Sequence, residues 1–462
     1  MLVRFGPAVL LLLLATFSSD WELFLFGTGV FAIFYTFFFN VNIPPVILFI
    51  FFFQWFFNQG QLFNAMLNGT TLDKMFVPGA SIGTVYYLGM IGTAAFFAGV
   101  MFFFPKIRTL RLEELKRLAL QFNIDRLLVA YLISYPVLAL ALQVLWLYPG
   151  LTQPIHMFIY FKWSLFFLLF VGVFCHNKHK IPLLVIILFE FFASLGSFWA
   201  SFKDVIYMSF IAYWPFYFKG NVFLRWTLPT LILLMIYMGS IWSAIKQDYR
   251  TFLAGTVRSQ GNPIGRFEAM NKFTDMFFNV NEQELDRGFD ALLLRLSWIG
   301  AFNKVYNYVP SHVPHQDGAL WMAGVARPFT PRLLFPGKTA LTDSEELNRY
   351  SGLNVDEENT SISLSTIAGS YVDYGPWGMH IPLFFFGLFV GWVYKKTFDF
   401  SPNILVGYAL SLPLVFITNI NEQSINRIFS AIVLYFLVTW FTTKFLLKPF
   451  LRAVIHPSHI TK

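Results

Sequence analysis

Five cations punctuate one stretch of this chain: Arg287, Arg295, Arg327, Arg332 and Lys338. Arginine presents a planar fork of donors that matches phosphate oxygens and stays charged when partly dehydrated. A leaving diphosphate needs such neutralisation in the transition state, above all where no metal-binding Asp-x-Asp is present. Arg295 stands in the apolar context Leu-Leu-Leu-Arg-Leu-Ser-Trp-Ile-Gly, and Arg332 and Lys338 stand in a Pro-bounded loop. The chemistry these residues suit is recognition of a phosphorylated, apolar-tailed substrate. Other chemistries lack their motifs. There is no Walker loop. His312 and His315 are separated by Pro314 and have no third ligand in sequence, so no metal is expected. The single cysteine, Cys175, excludes a disulfide framework and reads as a packing residue.

The elements that must position these cations are apolar. Of 462 residues, 56% are hydrophobic and 13% charged, about half the charge of a soluble domain. Lipid needs no such charge. The 59 Phe residues fall mostly in apolar runs and are read as lipid-facing bulk. Measured against roughly 20 residues per span, twelve runs qualify, near 5–19, 21–39, 42–58, 83–104, 127–147, 156–175, 181–199, 204–218, 227–245, 379–395, 402–420 and 426–447. The expected fold is an all-α polytopic membrane protein of about twelve transmembrane helices with one large extracytoplasmic loop domain between helices 9 and 10. Its parts are an N-terminal bundle of about nine helices (1–245), the loop domain (246–378), C-terminal helices (379–448) and a tail (449–462).

Charge sets the orientation. The connection after the fourth run holds Lys106, Arg108, Arg111, Lys116, Arg117 and Arg126, and Lys178, Lys180, Lys219, Arg225, Lys395 and Lys396 fall on the same side by alternation. The positive-inside rule makes that side cytoplasmic, with both termini. Residues 246–378 then face outside, with twelve Lys/Arg against fifteen Asp/Glu, a local charge of −3, while the rest carries +11. That distribution is a topology signal and excludes a nucleic-acid partner. Arg4, the run to Thr16 and Ser18-Ser19 resemble a signal peptide; an uncleaved first span is the preferred reading. Residues 109–121 read as a short amphipathic helix on the basic face. About 130 outer residues are too many for a connector and point to function; Phe267–Phe278 and Glu282–Ser297 look helical.

Three stretches carry a family resemblance. Pro331-Arg332-Leu-Leu-Phe-Pro-Gly-Lys338 is similar to the "PR-x-x-W-P-x-K" run of bacterial oligosaccharide repeat-unit polymerases, the Wzy-type O-antigen and exopolysaccharide polymerases. Arg295 with Tyr308-Val-Pro310-Ser-His-Val-Pro314-His315-Gln-Asp-Gly318 resembles their "R…P-x-x-x-P-Y-x-x-G". Gly369-Ser-Tyr371-Val-Asp373-Tyr-Gly375-Pro-Trp-Gly378, preceded by Thr360-Ser361, resembles their "E-x-Y-x-x-F-G-x-x-G". The motifs cover roughly 290–380. Gly369 stands where that family commonly has an acid, and Phe335 where it has tryptophan.

The resemblance implies a metal-independent, cofactor-free, membrane-embedded GT-C-like glycosyltransferase of the bacterial cytoplasmic (inner) membrane. Its substrate would be a polyprenyl-diphosphate-linked oligosaccharide met at the lipid bilayer, with a chain-length regulator and a flippase as pathway partners. It implies Arg295, Arg332 and Lys338 as diphosphate contacts, with Arg327 and Arg287 after them. Asp373, Glu422 and Glu268 are the candidate bases, and His315, Tyr371 and Arg427 further substrate contacts. A flippase or transporter for lipid-linked sugar, or an O-antigen ligase, is the alternative. Glu190, alone in Ile-Leu-Phe-Glu-Phe-Phe-Ala, is functional by default at such depth, or pairs with Lys203. The acidic residues Asp343–Glu346 and Asp356–Glu358 receive no chemistry.

Overall fold

The computed structural model describes residues 2–76, 82–104, 110–148, 151–195, 202–218, 226–254, 264–295, 297–331, 335, 337, 343–354 and 362–456. Within them the chain is a helical membrane protein. Six helices are long and apolar enough to cross a bilayer: Trp21–Phe38, Val46–Leu67, Ile82–Met101, Ile124–Gln143, Thr152–His176 and the continuous run Ile425–Val454. No strand occurs among the described residues; Phe122 and Ile455 form an isolated bridge.

In chain order the bundle begins with α1 (Leu2–Ala15), α2 (Trp21–Phe38), α3 (Val46–Leu67), the single turn α4 (Leu72–Met75) and α5 (Ile82–Met101). It continues through α6 (Leu112–Ala119), α7 (Ile124–Leu147), α8 (Thr152–His176), α9 (Lys180–Leu195), α10 (Lys203–Tyr217) and α11 (Thr227–Ala254). Pro44-Pro45 sets the start of α3, which then runs nine residues past the expected end of its apolar run, through Asn58-Gln59-Gly60-Gln61. α11 likewise continues past the expected boundary at 245. α6 is the expected amphipathic helix, burying Leu112, Leu115 and Ala119.

One expectation is corrected. The phenylalanines are not merely lipid-facing bulk, because those of α2, α3 and α5 form an aromatic core. Phe51 and Phe96 are fully buried, and Phe51–Phe97 and Phe96–Phe97 meet edge-to-face at 5.1 and 5.0 Å. Edge-to-face pairs add about 0.5–1.5 kcal/mol each beyond area burial, which gives an all-apolar bundle specific contacts where hydrophobicity alone gives none.

The large insertion folds as α12 (Arg266–Phe278), α13 (Glu282–Arg295), α14 (Ile299–Tyr308), α15 (Ala319–Ala326), α16 (Asp343–Ser351) and α17 (Thr366–Gly378). The two stretches expected to be helical are α12 and α13. α17 starts at a Ser365 cap whose Oγ accepts from the Ala368 amide at 3.0 Å. It kinks at Gly375, where φ is +68° and Pro376 follows; an L side chain is strained in that region. The chain then enters α18 (His380–Phe400). Next come the half-length α19 (Ile404–Ser411) and the turn α20 (Leu414–Ile417), divided at Leu412-Pro413, and then α21 (Ile425–Phe441). A π-turn over Thr442–Leu446 leads into α22 (Leu447–Val454).

Between α20 and α21, residues 418–424 are irregular backbone. Gln54 of α3 donates to the Thr418 carbonyl at 2.9 Å, and Asn421 donates to the Gln54 side-chain oxygen at 2.9 Å. Thr366 donates to the Gln423 carbonyl at 2.7 Å, and Asn58 bridges to Thr93 at 3.0 Å. Non-helical backbone beside apolar helices persists only where protein satisfies it, and here buried amides do so.

Candidate functional site

Loop 418–424 and the first turn of α21 meet the insertion. Gly324 of α15 lies on them so closely that a side chain would stand 3.3 Å from the Ile425 carbonyl carbon. α15 is itself oriented from α17. Both Asp373 oxygens accept amides at its start, Oδ1 from Leu320 at 3.1 Å and Oδ2 from Trp321 at 2.9 Å. The Trp321 indole donates to Ser370 at 3.1 Å. An acid at a helix N-terminus satisfies otherwise orphaned donors.

A charged cluster results where α15, α16 and α21 converge. Arg427 Nη1 donates to Asp343 Oδ2 at 2.7 Å, and Ser424 Oγ to Asp343 Oδ1 at 3.1 Å. Asn426 donates to Glu346 at 2.9 Å. Burial, and next the Asp343 charge, push the Glu346 carboxyl above its ordinary range, while the Asn426 amide and the Arg327 charge pull it back. The Asp343 side chain is 7% exposed, yet the Arg427 side chain is 60% exposed. Arg427 is thus anchored through one nitrogen and keeps most of its fork open to a ligand.

On the bundle side of Arg427 lie α8 and α10. Tyr160 stacks on Phe416 at 5.2 Å and lies within electrostatic reach of Asp204 and Arg427; Tyr207 is within reach of Asp204 and Glu422. Exposed Glu422 accepts from Asn419 at 2.6 Å. Behind them Glu190 pairs with Lys162, at 2.6 and 2.8 Å to its two oxygens, and accepts hydroxyls from Tyr131 and Tyr135. Lys162 also lies over the Trp163 ring at 4.7 Å. The expected partner of Glu190, Lys203, is replaced by Lys162 one helix away. A carboxylate with three donors is a settled buried pair, costly to break by removing one partner.

Of the expected contacts, Arg427 is part of this cluster, Arg327 is within electrostatic reach of Glu346, and Glu422 is within reach of Tyr207. Arg332 and Lys338, and the side chain of Arg295, lie outside the described residues, as do Asp356–Glu358. Arg287 and Glu268 are exposed on α13 and α12, where Ala269 and Phe273 pack in a separate core with Trp242 and Tyr249 of α11. Neither is brought to the cluster. Asp373 spends both oxygens on α15, and burial raises its pKa despite those amides. Tyr371 is buried and donates to the Val309 carbonyl at 2.8 Å; His315 faces the Val372 carbonyl at 3.2 Å. These three build the frame around the site. His312 stacks on Tyr308 at 4.5 Å, away from the partners of His315. Sequence reasoning missed Asp343 and Glu346, which read as a solvated run; the spacing that puts both on one helical face was the available signal.

A family described as a domain of unknown function, DUF8712, matches residues 48–451, and the chain belongs to it. No curated protein and no solved structure matches the chain.

Proposed function

We propose that this DUF8712 member is a metal-independent glycosyltransferase that polymerises polyprenyl-diphosphate-linked oligosaccharide repeat units into a surface polysaccharide. It would act at the outer face of the bacterial cytoplasmic membrane, with twelve spans, both termini inside and the insertion outside. The observation that carries this reading is Arg427, tethered by Asp343 yet mostly exposed, next in chain to the Asn426 that holds Glu346, where the insertion meets the apolar helices. The resemblance of residues 290–380 to repeat-unit polymerases supports it.

In this reading Arg427 and Arg327, with Arg332 and Lys338 from the Pro-bounded loop, hold the diphosphate of the lipid-linked growing chain. Glu346 or Glu422 takes the proton of the acceptor hydroxyl. The acceptor oxygen bonds to the anomeric carbon as the anomeric carbon–phosphate oxygen bond breaks, and the charge stays on the departing polyprenyl diphosphate, where the cations stabilise it.

Deleting the gene and analysing lipid-linked glycans tests the reading. The expected result is loss of long chains with single repeat units retained. Long chains made but not attached would point to a ligase. Repeat units accumulating on the cytoplasmic leaflet would point to a flippase, and either outcome overturns the proposal.

The pH profile separates the two bases. If Glu346 is the base, chain extension rises with pH through a limb above the ordinary glutamate range, because burial raises that group. Arg327→Gln removes a charge that lowers it and so moves the limb further up. A limb that stays in place in Arg327→Gln and in Glu346→Gln assigns the proton to another group.

A further inference from the structure

The far end of the last helix carries a second, unrelated site. Beyond the π-turn, a cavity of about 340 Å³ lies between the end of α18 and α22, walled by Phe400, Leu447, Leu451 and Ile455 and edged by Lys448 and Arg452. That volume is in the range of small-molecule pockets. Lys448 and Arg452 are exposed and one turn apart, and among the described residues no carboxylate lines the cavity. Asp399, the residue before Phe400, already pairs with Lys395 at 2.7 Å and Lys396 at 3.5 Å.

The groove is built rather than left by a loose tail. α22 is fastened to the start of α7: the Asn123 amide donates to the Val454 carbonyl at 2.7 Å, Arg126 Nη1 to the Ala453 carbonyl at 2.9 Å, and the His456 amide to the Gln121 carbonyl at 3.0 Å. One turn before it, exposed Trp440, Phe441 and Phe445 surround Lys444, whose ammonium lies 4.9 Å from the Trp440 ring centre. Aromatic and basic residues mixed at a helix end mark a membrane–water interface. The apolar wall therefore continues lipid-facing surface, and the cations stand at headgroup height.

We propose that this groove binds an anionic glycerophospholipid, with its phosphate on Lys448 and Arg452 and an acyl chain along Phe400, Leu447 and Leu451. Charge complementarity selects the anionic class, and continuity with the lipid-facing helix selects a bilayer lipid over a soluble phosphate. The site is independent of the proposed transferase reaction.

Purified full-length protein is exchanged into mixed micelles holding phosphatidylglycerol and phosphatidylcholine in equal amounts, and retained lipid is read by native mass spectrometry. The expected preference for phosphatidylglycerol is about thirtyfold, equivalent to ~2 kcal/mol for two interfacial cations. K448Q/R452Q erases the preference. T443W, which fills the groove and keeps both charges, lowers retention of phosphatidylglycerol and tests the site if the double variant fails to fold. Equal retention of both lipids by the unaltered protein overturns the proposal, as does a preference that survives K448Q/R452Q or retention unchanged in T443W. Displacement of the lipid by millimolar glycerol phosphate assigns the cations to a free phosphate and overturns it also.

Discussion

On the proposed transferase reading, replacing Arg427 by alanine lowers chain extension by about 100- to 1,000-fold, the loss typical of deleting one preorganised donor to a developing negative charge. Two roles of Arg427 must be separated. It partners Asp343, and its loss leaves a carboxylate that is 7% exposed with Ser424 as its remaining donor. Because Arg427 itself is 60% exposed, solvent screens the pair and the stability cost falls well below that of a fully buried one. Asp343→Asn removes the charge and keeps the shape. If Arg427 only serves Asp343, Asp343→Asn and Arg427→Ala impair extension alike. If Arg427 holds the diphosphate, Asp343→Asn stays within about tenfold of the unaltered protein, while Arg427→Lys, which keeps charge but loses the fork, falls between. Extension is measured as chain-length distribution from purified protein in lipid vesicles with a lipid-linked repeat unit. Full activity in Arg427→Ala removes this residue from the site.

How much of that site was legible in the sequence depends on the kind of signal. Arg427 and Glu422 announced themselves as charges beside the last apolar runs, and charge near lipid is costly enough to notice. Asp343 and Glu346 did not, since an acidic run in a polar segment looks solvated until a fold covers it. Their burial comes from α16 closing on α21, a contact across some eighty residues that no local pattern encodes. Asp373, Tyr371 and His315 were marked by a motif, and the contacts they make are architectural ones. Tyr371 holds the Val309 carbonyl, Asp373 caps α15, and Gly375 allows the kink. A motif reports that a constellation is needed, and not whether the need is chemical or geometric.

The helices were far more legible, because apolar runs of span length leave few alternatives. What periodicity could not supply was their interruption and their packing. Pro413 marks the break between α19 and α20, yet the irregular loop beyond it depends on Gln54 and Asn421 finding each other. Glu190 was recognisable as a buried charge, whereas its partner on α8 was not, since the nearer cation in sequence is Lys203. Composition misled on phenylalanine, because a residue that suits lipid equally suits an aromatic core.

The tightest of those unencoded contacts supports the second large prediction. α5 and α18 cross at Gly99, Gly387 and Gly391, where a side chain would run into main chain rather than a movable side chain. A Cβ at Gly387 meets the Phe96 carbonyl, one at Gly99 stands 2.6 Å from the Leu388 amide nitrogen, and one at Gly391 2.9 Å from the Val100 carbonyl oxygen. Small residues four apart let helices approach where lipid supplies no hydrophobic drive between them. Gly387→Leu therefore forces the backbones apart and costs about 3 kcal/mol, the upper end of overpacking, since no rotamer relieves it. Gly29→Leu is the matched control, for nothing lies within 4 Å of that position. Thermal unfolding in detergent should show Gly387→Leu strongly destabilised, Gly387→Ala already impaired, and Gly29→Leu near the unaltered protein. The effect reaches the site as well. α18 follows directly from α17, which carries Tyr371 and Asp373, so a displaced α18 shifts the frame that aims α15 at Arg427. Extension should fall in step with the stability series, and equal melting of Gly387→Leu and Gly29→Leu would show that the crossing tolerates separation.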